Sequence, residues 1–326
     1  MVLGRRLATT GSMETIDLSS IPQADAKALL ASGVPVYLLV NPVEFHGPHL
    51  PLGNDHNLSL CVSHELHQHL QKQHPDWPFV LATPLHVGAD AAPGHGSVNV
   101  PFQTVRRLVL DSCRALEALG ARRVILMTFH GSPFHGAALQ SGVRYLRSRG
   151  ISSISPFNLV LKEVVNYHPD KFQDPFLPIQ DPKIRARIQR ELAEDFHAGF
   201  FETSLALHYC PETVSQIYRD LPGCPTVGHT WFFRALSIVG RLLGLSRFAN
   251  EAHLVSLAIS WSKLRPFPGY TGFPHLATAQ SGAAFAKIIL ESYIPHVEEA
   301  LDGSHSGVDP MMGWLLHLTL QGRITL

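Results

Sequence analysis

Gln103-Thr-Val-Arg-Arg-Leu-Val-Leu-Asp-Ser-Cys-Arg-Ala-Leu-Glu-Ala-Leu-Gly-Ala-Arg-Arg-Val-Ile-Leu-Met-Thr128 changes its apolar period partway along. From Gln103 to Leu119, the residues Val105, Leu108, Val109, Leu116 and Leu119 recur at helical spacing, and Gly120 is a natural stop just past the last turn. Arg123 to Thr128 then runs as a continuous apolar stretch, the mark of a strand buried on both faces. A helix that feeds a buried strand through a tight turn is one unit of an alternating α/β chain.

The alternation extends in both directions. Ala24 to Ser32 reads as a helix stopped by Gly33, followed by a strand Val36-Tyr-Leu-Leu-Val40. Asn57 to Lys72 reads as the next helix, Phe79 to Ala82 as the next strand, and His135 to Arg149 as a helix ended by Gly150. Such a pattern predicts an α/β fold, a mostly parallel central sheet with helices on both faces. Ligands of these sheets bind beyond the carboxyl ends of the strands.

The second half is less regular. Pro169 to Pro182 reads as a connection, Lys183 to Asp195 as a charged helix, and Ala279 to Leu301 as a helix packing back on the sheet. Trp231 to Leu245 is rich in Phe, Leu, Ile and Val, with Arg234 and Arg241 interspersed. It reads as a core or subunit-interface helix; a lid and a membrane-surface helix are the alternatives. The domain scheme is a flexible N-terminal tail (1–20), one α/β domain (21–305) with an irregular insertion at about 211–262, and a C-terminal extension (306–326).

Composition narrows the function classes. With 45% hydrophobic and 16% charged residues the chain can bury a substantial core. The 26 basic residues are balanced by 26 acidic ones, which argues against a nucleic-acid footprint. Cys61, Cys113, Cys210 and Cys224 form no CxxC pair, so neither a zinc ribbon nor a disulfide framework is indicated, and a reducing cytoplasm is the expected location. The N-terminus lacks an apolar signal-peptide core, and no run of apolar residues is long enough for a membrane span.

Chemistry concentrates in Asn41-Pro-Val-Glu-Phe-His-Gly-Pro-His-Leu-Pro-Leu-Gly-Asn-Asp55, directly after the strand ending at Val40. Glu44, His46 and Asp55 make a mixed oxygen and nitrogen donor set, suited to Zn²⁺, Mn²⁺ or Fe²⁺ rather than to Ca²⁺ or a thiolate site. His130 follows the strand that ends near Thr128, so the fold and the donor set point to one sheet edge. His197-Ala-Gly-Phe-Phe-Glu202-Thr-Ser204 places a further imidazole and carboxylate around a Gly turn. Pro93-Gly-His-Gly-Ser-Val-Asn-Val100 is a Gly-rich turn. Gly94 and Gly96 either let backbone amides approach a substrate or simply form a tight turn.

These segments resemble the creatininase (creatinine amidohydrolase) family. Glu44 to Asp55 is close to its EQHGPHLPLGTD-type motif, His197 to Ser204 keeps its HAGxxETS-type motif intact, and Gly269 to Ala279 resembles its GxxGDPxLATxExG stretch. The resemblance runs over about residues 35 to 295, in the family's order. It implies a three-layer α/β/α sandwich, a two-metal centre, a homo-oligomer, and hydrolysis of amide bonds in small molecules by a metal-activated water. By motif position, Glu44 and His130 would hold one divalent ion and His46 the other, with Asp55 bridging; Glu202 would complete the ligand set of the second ion. Two departures stand out. The NGHGGN-type turn is Thr128-Phe-His-Gly-Ser-Pro133 here, with Ser132 where creatininases proper place a glutamate ligand. The aromatic residues that grip creatinine have no recognisable counterpart.

Each residue also has an ordinary reading. Asp55 could cap the helix beginning near Asn57, His130 could be a hydrogen-bonded core imidazole, and Glu202 could stabilise a helix start. His197 is either the general acid for the leaving nitrogen, a substrate grip, or a structural histidine of the turn. His49, His56 and His135 read as orienting or surface groups, and the His208-Tyr-Cys210 pair lacks partners for a separate site. The expected function is metal-dependent hydrolysis of a C–N amide bond (a cyclic amide, formamide or similar) of a small molecule. The alternatives are a peptidase-like relative trimming a short peptide, and a catalytically silent metal- or ligand-binding protein.

Overall fold

The computed structural model describes residues 15–166, 169–304, 308 and 310–324. Five strands form one all-parallel sheet in the order β1-β3-β2-β4-β5: β1 (Thr15–Asp17), β2 (Pro35–Leu39), β3 (Phe79–Leu81), β4 (Arg123–Met127) and β5 (Ser152–Ile154). Between and after them come α1 (Gln23–Ala31), α2 (Asn54–Leu70), α3 (Phe102–Ala118), α4 (Pro133–Ser148), α5 (Phe157–Val165), α6 (Pro182–Glu191) and α7 (Phe200–Tyr209). Then follow α8 (Trp231–Leu242), α9 (Ser246–Ser262), α10 (Ala279–Leu301) and α11 (Trp314–Leu318).

β2 is buried throughout and β4 is buried beyond Arg123, and their side chains alternate between two cores as the pleat requires. Tyr37, Leu39, Ile125 and Met127 join one cluster with Leu58, Val62 and Leu66 of α2 and Phe285, Ile289 and Tyr293 of α10. Val36, Leu38, Val124 and Leu126 join the other with Leu30 of α1, Val109 and Cys113 of α3, and Val143 and Leu146 of α4. This is the three-layer α/β/α sandwich expected from the alternation.

β2 and β4 are neighbours in parallel register, Leu39 opposite Met127, so the segments after them emerge side by side. Asn41 fastens that exit. Its Oδ1 accepts from the backbone N–H of Phe129 at 2.9 Å and from the Thr128 hydroxyl at 3.2 Å, while its Nδ2 donates to Ser59 Oγ of α2 at 2.8 Å. One buried amide thus holds together the two loops and the helix that carry Glu44, His130 and Asp55.

The differences from the sequence reading have physical causes. α2 starts at Asn54, three residues before the expected Asn57, so Asp55 lies inside its first turn; the N-cap position is Gly53 and no side chain caps it. Strands β1 and β5 carry too few apolar residues to announce themselves and form by pairing with β3 and β4. Residues 1–14 of the expected tail lie outside the described residues, but Thr15–Asp17 of that tail is the edge strand β1. The insertion at 211–262, expected to be irregular, contains the helical hairpin of α8 and α9. Of the extension 306–326, Met311, Met312 and Leu315 are buried in the second core. Lys183 to Asp195 divides into α6, capped by Asp181 accepting from Lys183 N at 2.7 Å, and a 3-10 turn Leu192–Glu194. Among the described residues no helix is long and apolar enough to cross a membrane.

α10 crosses α7 through a glycine contact. A Cβ built on Gly282 would lie 1.9 Å from the carbonyl oxygen of Ser204 in α7, a backbone atom that cannot swing aside. Gly282→Ala should therefore force the two helices apart and destabilise the protein by about 1–3 kcal/mol, measured as a lowered denaturation midpoint. An unchanged midpoint would show that the contact is slack.

Candidate metal centre

Asp55 looks in two directions. Its Oδ1 lies 3.0 Å from Nε2 of His46, and its Oδ2 lies 3.6 Å from Nδ1 of His130. Glu44 Oε2 approaches the same His130 nitrogen at 2.9 Å, and Glu202 Oε2 lies 3.7 Å from His46 Nε2. Two donor groups result, Glu44–Asp55–His130 and His46–Asp55–Glu202, in each of which the ligating atoms lie within 4.8 Å of one another. Asp55 belongs to both. A third grouping, Glu44–His46–His197, adds the histidine of the Gly turn.

The ring tautomers are set by backbone carbonyls, which can only accept. His46 donates from Nδ1 to the Glu44 carbonyl at 3.0 Å, and His130 donates from Nε2 to the Ala89 carbonyl at 2.8 Å. Each neutral ring therefore turns the lone pair of its other nitrogen onto carboxylate oxygens. That contact is repulsive until a cation, either a proton or a metal ion, sits between them. Burial opposes charge on both rings. Even so, Asp55, Glu202 and Glu44 raise His46 to about 10, and Glu44 with Asp55 raises His130 to about 9. Burial pushes Glu202 up to about 8, held back by His46.

All five groups are buried, and Glu44 Oε2 and Asp55 Oδ2 lack a hydrogen-bond donor. No Lys or Arg pairs with the three carboxylates among the described residues. Buried carboxylates with orphaned oxygens and lone pairs directed among them fit divalent cations.

Local structure explains the placement. Glu44 is held by its backbone N–H on the Leu52 carbonyl at 2.9 Å and by its Oε1, which accepts from Ala92 N at 2.5 Å. Gly94 packs against Phe45, whose side chain a Cβ would meet at 2.2 Å, and Gly96 sits in a turn with φ +87°. Both glycines thus have a packing or turn role.

The turn His197-Ala198-Gly199 is wound around a carboxylate the sequence reading passed over. Asp195, fully buried, accepts from Phe200 N at 2.8 Å and Phe201 N at 3.3 Å and so caps α7. Gly199 and Gly272 crowd its oxygens so closely that a Cβ on either would fall within 2.2 Å. Ala198 adopts φ +47°, and its N–H donates to Glu202 Oε2 at 2.6 Å, which aims that carboxylate at His46. An acid just ahead of a His-Ala-Gly turn and a helix start was the available signal.

His197 donates from Nε2 to the Phe45 carbonyl at 2.9 Å and stacks on His46 at 4.3 Å between ring centres. Burial, with His46 alongside, lowers it to about 4. Its other face meets Trp261 of α9 at 5.0 Å, and the indole N–H donates to the Tyr270 carbonyl at 2.9 Å. Trp261 escaped notice because the insertion carries no motif.

Ser132 is not a stand-in ligand. It is the N-cap of α4, accepting from His135 N at 3.2 Å, and its hydroxyl donates to Asp90 Oδ2 at 2.7 Å. Glu202, from α7, is the carboxylate grouped with His46 and Asp55. His135 lies behind His130, 5.1 Å between rings, with Nε2 on the Val40 carbonyl at 3.0 Å. His49 bonds Thr203 Oγ1 at 2.9 Å, and His56 packs on His86 at 4.8 Å. None of these, nor His208 or Cys210, joins a metal-competent group among the described residues.

Known proteins share sequence and fold with this chain. A relative is the mycofactocin precursor peptide peptidase of Mycobacterium ulcerans (strain Agy99), 27% identical over 216 residues, covering 64% of this chain and 69% of that protein. A solved creatinine amidohydrolase (creatininase) superposes with a TM-score of 0.55 at 17% identity, over 90% of this chain and 99% of its own. A putative creatinine amidohydrolase from Bacteroides fragilis NCTC 9343 gives 0.57 at 20% identity, over 89% and 97%. The family model for creatinine amidohydrolase matches residues 19–297, and the chain belongs to the creatininase family.

Proposed function

We propose that the chain is a metal-dependent amidohydrolase that cleaves a C–N amide bond of a small molecule. The observation that carries this reading is Asp55, whose two oxygens belong to separate donor groups. Glu44, Asp55 and His130 would hold one divalent ion and His46, Asp55 and Glu202 the other, with Zn²⁺, Mn²⁺ or Fe²⁺ suited to the donors. Bound ions supply an acidified water and positive charge against the oxyanion that grows in amide hydrolysis.

The chain's own groups do the rest. With Nε2 of His197 committed to the Phe45 carbonyl, Nδ1 is the nitrogen free to meet substrate. A neutral ring with a lone pair there accepts a proton from the attacking water and hands it to the leaving nitrogen. Trp261, packed on His197 and on Phe267 at 4.8 Å, keeps that ring from rotating and presents an apolar wall. Glu202, fixed by the Ala198 N–H, holds its carboxylate beside His46.

A short peptide is the second reading, favoured by the peptidase relative. A peptide bond and a lactam ask the same chemistry of these groups, so the screen should include lactams, formamides and short peptides. The four free cysteines support a cytoplasmic location, and the family resemblance supports a homo-oligomer.

Elemental analysis of dialysed protein tests the centre. Asp55→Asn should lose both ions, whereas Glu202→Gln should lose one, each with an unchanged far-ultraviolet circular dichroism spectrum; full metal content in Asp55→Asn refutes the bridging assignment. His197→Ala should keep its metal and lose roughly 10²–10⁴-fold in kcat, and undiminished turnover removes it from the reaction. Trp261→Ala should keep the metal as well but lower kcat more than it raises KM, since it acts through the placement of His197.

A further inference from the structure

The hairpin of α8 and α9 leaves an apolar face with no partner among the described residues. α8 buries Phe233, Ser237 and Gly240 against α9, where Gly240 approaches Phe248 and Ala249. Its opposite side is bare. Trp231 is 80% exposed, Leu242 82% and Leu243 67%, and Ile238, Val239 and Leu245 are each about half exposed. Trp231, Ala235, Ile238 and Leu242 follow helical spacing and form one stripe along the full length of α8. A contiguous exposed face of this size on a globular domain marks an interaction surface.

The charges around it select the partner. Arg234 and Arg241, seven residues apart, line one edge of the stripe, exposed and without a salt bridge among the described residues. From Leu221 to Asn250 the chain contains no Asp or Glu. The next acid, Glu251, is buried and already engaged by Arg247 at 3.0 Å and by the Trp314 indole at 2.8 Å. The face is therefore apolar and cationic together. A second copy packed on it by a two-fold axis would bring like arginines together with no acid to offset them. A bilayer carrying anionic headgroups satisfies both features: apolar side chains enter the acyl boundary and the arginines reach the headgroup phosphates. Trp231 at one end of the stripe is the residue type that settles at that depth.

We propose that α8 and the turn into α9 bind the surface of an anionic lipid membrane, with α8 lying in the interfacial plane. The inference stands on the outer face of the insertion alone and does not depend on the reaction assigned to the metal centre.

Vesicle co-sedimentation with the full-length protein tests it. Vesicles of phosphatidylcholine with about one-third phosphatidylserine should bind the protein roughly 10–100-fold more strongly than phosphatidylcholine alone, and added salt should weaken binding. The Trp231 contribution to fluorescence, isolated by difference from Trp231→Phe, should shift to shorter wavelength on binding. Leu242→Glu combined with Leu243→Glu, both at exposed positions that leave the core intact, should abolish binding, and Arg234→Gln with Arg241→Gln should remove the preference for the anionic lipid. Failure to bind either vesicle overturns the proposal, as does binding that survives the double glutamate variant. If the wild-type protein ignores vesicles and the double glutamate variant instead dissociates an oligomer in sedimentation velocity, the face is a subunit contact and the proposal falls.

Discussion

Three carboxylates held in one buried volume form the constraint around which this molecule is arranged. Glu44, Asp55 and Glu202 come from a loop, the first turn of α2 and the first turn of α7, and none is neutralised by a lysine or arginine among the described residues. Like charges so placed repel strongly out of water, so the surrounding structure must keep them there. Asn41 locks the exits of β2 and β4 to α2, and Asp195 winds the turn that carries Glu202. The imidazoles are oriented by backbone carbonyls, so a neutral ring faces the acids with a lone pair. Such a centre is built to be completed by positive charge.

Much of this was legible in the amino-acid sequence, and the reason lies in the architecture. β2 and β4 are buried on both faces, so they read as uninterrupted apolar runs, and Glu44, His46 and His130 lie within a few positions of their ends. Glu44, His46 and Asp55 are close in sequence because one loop and one helix start deliver all three. What was not legible depends on contacts between distant segments. β1 and β5 exist because β3 and β4 offer them a free edge. Trp261 meets His197 only because α9 folds back over the turn, and Asp195 matters because Gly199 and Gly272 close on it from separate parts of the chain. The amphipathic character of α8 was visible, but whether its apolar side faced inward was not, since either packing uses the same periodicity.

Ser132 serves the scaffold around the donor groups rather than the groups themselves. A serine there caps α4 and anchors Asp90, both of which organise the loop that receives His130. Glu202 lies in the first turn of α7, and His197 in the turn just ahead of it, so one short stretch carries both a candidate donor and the proposed proton carrier. Glu202 is fixed by the N–H of Ala198, a residue in left-handed backbone geometry, and this ties its aim to the shape of the turn.

The paired bonds between Thr271 and His197 have a separate consequence. Thr271 N donates to the His197 carbonyl at 2.8 Å, and His197 N donates to Thr271 Oγ1 at 3.1 Å, so the chain leaves this neighbourhood along α7 and returns to the same spot. Everything in between is an excursion with its feet clipped together. Its outer portion can be lengthened, shortened or exchanged for foreign sequence at little entropic cost, as long as Trp261 is retained at the returning foot. The scaffold thus offers a natural socket through which one chemistry can be issued with different addresses.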